Sequence, residues 1–71
     1  MWKNVKTDRL PRYGTLLVEV ERNGESAIGL LEIVSYGGEM YAMGHTITGE
    51  PIHEGGWKVV KWIEVSDLCN G

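Results

Sequence analysis

The chain has 71 residues, and ten Asp and Glu outnumber seven Lys and Arg to give a formal net charge of −3. That length holds one domain with no room for a second core, and the acidic balance disfavours nucleic acid, whose phosphates call for a basic stripe. The single cysteine, Cys69, excludes an internal disulfide and fits a reducing compartment.

A chain this short buries only about 60% of the surface that its unfolded form exposes, so outside help from a metal, a disulfide or self-association would be useful. No basic segment leading into an apolar core opens the chain, and no apolar run approaches the ~20 residues that span a bilayer. The expected location is the cytoplasm, away from membranes.

Residues 1–14 read as an irregular N-terminal arm. Leu10 precedes Pro11 and must be extended, and Gly14 allows a tight entry into the first strand. Lys3, Lys6, Arg9 and Arg12 form a modest basic corner, read as a solvated face.

Helical periodicity is absent, and Val/Ile-rich runs between turn signals point to short antiparallel strands. The clearest is TLLVEVERNGESAIGLLEIVSY, residues 15–36. Asn23-Gly24 suits a two-residue type I′ turn, whose central positions both need positive φ. The turn sets the register: Arg22 opposite Glu25, Val20 opposite Ala27, Val18 opposite Gly29, Leu16 opposite Leu31. These side chains share a wholly apolar inner face. Gly37-Gly38 is a second such turn, and it places Ile33 opposite Ala42 and Leu31 opposite Gly44. Ala27, Gly29, Ala42 and Gly44 leave hollows on the inner face, and Trp2, Trp57 and Trp62 are the candidates to fill them. Glycine within strands also marks close approach or bending.

Between residues 48 and 56, TGEPIHEGG reads as a polar, mobile loop suited to contacts. WKVVKWIEV, residues 57–65, reads as a further strand. Trp57, Val59, Ile63 and Val65 fall in one phase and Val60 and Trp62 in the other, so its inward phase stays open. Residues 66–71 read as a tail or short helical turn. The fold class is therefore all-β: a single small domain over residues 1–71. It is built as an antiparallel meander of four to five strands that can curl into an SH3-like, partly open barrel.

Trp2, Val5, Arg9-Leu10-Pro11, Gly14 and Leu16-Leu17-Val18 at the start, with Val60-Lys61-Trp62-Ile63 near the end, form a bracketing pattern. It resembles the domain of unknown function 551 family. The interval from Trp2 to Pro11 is one residue longer than in that pattern, and Glu64-Val65-Ser66-Asp67 stands where members carry a Pro-rich tail. The resemblance implies a small protein of tailed phages or prophages in enteric bacteria, with an accessory role. It supplies no catalytic residues.

The residues themselves suggest no enzyme. His45 and His53 are the two histidines, and with Glu54 and Cys69 they match no metal-ligand spacing. Neither a metal nor any other cofactor is expected. Glu19 and Glu32 share the outer face of the hairpin, but acid–base work needs a partly desolvated pocket to separate two carboxyl pKa values. YGGEMYAMG lacks the helix and the Lys-Ser/Thr of a phosphate loop.

The outer face carries the functional signal. An antiparallel sheet with one wet side should alternate apolar and polar residues. Here the outer side holds Leu17, Ile28, Leu30, Val34, Tyr41, Met43 and His45, with Tyr36 and Ile47 beyond them. Three outcomes follow: the chain's own ends cover this face, it pairs with itself in a homodimer, or it docks a protein partner from host or phage. The favoured reading is a non-enzymatic accessory protein that binds a protein partner there and inhibits a host or defence factor. No small-molecule substrate is expected. The alternative is a small nucleic-acid-binding β-barrel, in which Tyr36 and Tyr41 stack bases and the basic corner meets phosphates.

Overall fold

The computed structural model describes residues 2–69. Five strands and one short helix follow in order: β1 Lys3–Asn4, β2 Gly14–Arg22, β3 Glu25–Tyr36, β4 Glu39–Thr46, β5 Lys58–Glu64 and α1 Val65–Cys69. All strand pairs are antiparallel and form one open sheet in the order β1-β5-β2-β3-β4. β2, β3 and β4 make the expected meander. β5 then returns to lie beside β2, which gives these four strands the spatial order of a Greek key. The arm is thus not wholly irregular, because β1 pairs Lys3 with Trp62 and Asn4 with Lys61. The tail begins with the helical turn α1, and residues 70–71 lie outside the described chain.

Both hairpins keep the register that their turns dictate. Arg22 pairs with Glu25 and Leu16 with Leu31 in the first; Tyr36 pairs with Glu39 and Leu31 with Gly44 in the second. Asn23 and Gly24 have φ of 47° and 83°, and Gly37 and Gly38 have 62° and 85°. These are the positive values that a type I′ corner requires. The hollows expected beside the small residues are partly closed by backbone. A Cβ on Gly44 would run into the Leu30 carbonyl oxygen and stand 2.8 Å from the Leu31 Cα. Glycine here lets β4 curl onto β3 instead of leaving space for a tryptophan.

The ambiguous phase of β5 is resolved by a β-bulge. Glu19 pairs with Lys61, but Val20 pairs with Val59, so Val60 is an extra residue and the side-chain phase changes across it. Trp57 and Val59 point inward before the bulge, and Trp62 points inward after it. The core accordingly joins Leu16, Val18 and Val20 of β2 to Leu31 and Ile33 of β3, with Trp57 and Trp62 packed over them. Leu10 and Val5 pack against its margin. Each fully buried aliphatic side chain contributes roughly 1.5–3 kcal/mol by leaving water.

The loop after β4, expected to be mobile and available for contacts, is instead part of the core structure. Ile52 is fully buried against the inner face. The Ile52 amide donates to the Gly44 carbonyl at 3.0 Å, the Trp57 amide to the Ile52 carbonyl at 2.9 Å, and the Thr46 amide to the Glu50 carbonyl at 2.8 Å. Arg22 clamps the loop to the first hairpin. Its guanidinium lies 4.1 Å from the centre of the Trp57 ring, donates to the Gly55 carbonyl at 2.8 Å and meets Glu50 at 3.1 Å. Trp57 Nε1 in turn donates to Glu50 Oε2 at 2.9 Å. A nominally polar stretch is drawn inward because one isoleucine and a neighbouring tryptophan gain more from burial than the loop gains from solvation.

Candidate docking face

Alternation along β2, β3 and β4 places Leu17, Ile28, Leu30, Val34, Tyr41, Met43 and His45 on the side opposite the core, and pairing gathers them. Leu17 stands opposite Leu30, Leu30 opposite His45, Val34 opposite Tyr41, and Met43 opposite Glu32.

The face is divided in two. Over β5 and β2, Trp2 lines a shallow cleft with Glu19, Ile28 and Lys61. There Ile63 is only 4% exposed, and Leu17 and Ile28 are half-buried. Trp2 therefore serves this side of the sheet, not the inner core for which it was a candidate. The reason is parity. Lys3 shares the inner phase with Trp62, over whose ring its ammonium sits at 4.8 Å, so the preceding residue falls on the other side.

Over β3 and β4 the face is open. Leu30 is 51%, Met43 66% and Ile47 77% exposed, and Val34, Tyr36, Tyr41 and His45 are exposed with them. Leu30, Met43 and Ile47 border a shallow depression that Glu32 and His45 also line. Five of the seven candidate residues thus stand free, while Leu17 and Ile28 mark the boundary with the sealed half. The Tyr41 hydroxyl donates to Glu39 Oε2 at 2.7 Å. That bond, and then desolvation, hold the phenol above its ordinary pKa of 10.0.

Among the described residues, no three His, Cys, Asp or Glu side chains come together as a metal site would require. His45 lies on β4 and His53 in the loop beyond it, both exposed. A concavity lies between the turn after β1, the tip of the first hairpin and Gly55-Gly56, and Arg22 in it is already committed to Glu50 and Gly55. Lys3 and Lys6 belong to the β1 edge, whereas Tyr41 lies on the β4 edge at the other end of the sheet. No helix among the described residues is long and apolar enough to cross a membrane.

No protein-family model matches the chain, and neither the curated proteins nor the solved structures yield a match.

Proposed function

We propose that this chain is a non-enzymatic interaction protein that holds a protein partner against the open β3/β4 half of its outer face. The likeness of its two ends to the domain of unknown function 551 family supports a phage or prophage accessory role in the bacterial cytoplasm. Inhibition of a host or defence factor is the action this reading favours. The observation that carries it is the contiguous exposure of Leu30, Val34, Tyr41, Met43 and Ile47 on a hydrogen-bonded sheet. A soluble domain seldom leaves such a patch uncovered without a use for it, and Met and Tyr are adaptable contact residues. Covering ~600 Å² of apolar surface there would contribute about 15 kcal/mol gross. Lost rigid-body freedom and side-chain ordering take back much of that.

The test is capture by the immobilised chain, with the unmodified protein beside the Leu30→Lys, Met43→Lys double variant. The double variant should keep its urea midpoint and lose the captured protein. Equal capture by a folded double variant would reject the reading.

A further inference from the structure

The two edges of the sheet are finished differently. β1 is two residues long and is turned away at once. The Asn4 carbonyl accepts from the Thr7 and Asp8 amides at 3.0 and 2.8 Å, and its Oδ1 accepts from the Lys6 amide at 2.9 Å. β4 runs for eight residues, EMYAMGHT, with no Pro, Lys or Arg, and the loop covers only its C-terminal end, so the rest of the edge is little blunted. Its free hydrogen-bonding groups can be assigned. The Ile47 amide donates inward to the Ile28 carbonyl at 2.9 Å, whereas the Thr46 amide and the Gly44 carbonyl turn outward, to Glu50 and Ile52 of the loop. Alternation along an antiparallel strand then turns the N–H and C=O of both Ala42 and Met40 outward. The loop reaches only as far as Gly44, and among the described residues no strand lies beyond.

We infer that a second copy of this chain pairs with this edge, β4 antiparallel to β4, about a two-fold axis at Tyr41. This goes beyond the docking reading and does not depend on what the open face binds. One register uses every free group of Met40 and Ala42. With Tyr41 opposite Tyr41 of the second copy, Met40 faces Ala42 and Ala42 faces Met40, and the outward amides and carbonyls of these two residues are satisfied in both copies. An axis at Ala42 would drive Met40 onto Gly44, whose carbonyl already serves Ile52. An axis at Met40 would set Ala42 against Gly38 in the turn.

The chosen register also agrees with the side chains. Glu39, the one carboxylate of the strand, meets Met43 rather than its own counterpart, so no like charges are opposed. Met40, exposed in the single chain, falls across from the small Ala42. Tyr41 and Met43 of the two copies form one apolar row, and the open half-faces become continuous across an isologous interface.

Site-specific cross-linking and solution mass test this. In a Cys69→Ser background, Tyr41→Cys should oxidise to a covalent dimer, because directly opposed residues outside the hydrogen-bonded pairs lie at ~4.5 Å between Cα atoms, within disulfide reach. Met43→Cys, opposite Glu39, should stay a single chain. Light scattering should give twice the chain mass for the unmodified protein and for Leu30→Lys. It should give the single mass for Tyr41→Lys and for Tyr41→Glu alone, and the doubled mass again when those two variants are mixed. Three results would overturn the inference: a single-chain mass for the unmodified protein at the highest concentration it tolerates, cross-linking of Met43→Cys as readily as Tyr41→Cys, or a dimer that Leu30→Lys dissolves and Tyr41→Lys does not.

Discussion

Ile63, Leu17, Leu30 and His45 form one row across four strands on the outer face. Exposure climbs along it, from 4% at Ile63 through a half-buried Leu17 to 51% at Leu30 and an open His45. Residues of one pattern and one side of the sheet thus belong to two environments. What separates them is the placement of the chain's ends. β1 pairs with the edge of β5, so Trp2 sits over that end of the row, whereas the loop meets the other end only along the strand edge, at His45, and leaves its face open. An apolar outer face is therefore one part structural and one part unused by the fold, and only the second is free for a partner.

Substitutions along the row sharpen this contrast. Ile63→Ala should lower the unfolding free energy by about 2–5 kcal/mol, as deletions in packed interiors do, while Leu30→Ala should stay within ~0.5 kcal/mol. Paired urea titrations compare them, and similar losses at both sites would erase the division. Trp2→Ala should have a smaller effect, about 2 kcal/mol, because Trp2 is 41% exposed and fully buried tryptophans give ~3–5 kcal/mol. It should also make the Ile63 amide exchange faster with solvent; unchanged exchange would show that Trp2 does not cover it. The smallest effect lies at Tyr41. The bond to Glu39 favours the neutral phenol, so its pKa in the folded chain lies above 10.0. The associated stabilisation is complete below pH 10.0 and fades as pH rises through the folded-state pKa. Ultraviolet titration should show Glu39→Gln bringing the phenol back down; an unmoved titration would mean that the bond is not formed in solution.

Inner-face residues on the same strands give the other half of the comparison. Leu31 is 1% exposed beside Leu30 at 51%, and that alternation could be read once the turn at Asn23-Gly24 had been placed. Two corner dipeptides demanding positive φ were enough to set three strands and thereby nearly every candidate contact residue. Local rules work here because hairpin pairing is short-range and a one-residue slip would expose the core.

Three features lay beyond such rules. The phase of β5 looked contradictory because a bulge is a property of the pair, not of the strand: Val60 is extra only in relation to the Glu19-Val20 step of β2. Ile52 was hidden in a polar loop, since its burial depends on where that loop crosses the sheet. Trp2 lies on the outer side because the pairing of Lys3 with Trp62, 59 residues apart in the chain, fixes the parity of the arm.

Composition, turn chemistry and period-two patterning dictated an all-β domain, its two hairpins and the apolar character of both sides of the sheet, because each follows from neighbours along the chain. Which half of the second side remains open was decided by non-local closure: β5 returning beside β2, β1 adding to β5, and the loop laying Ile52 under β4. Those contacts join residues distant in the chain, and their free energy depends on shapes that exist only once the sheet has formed.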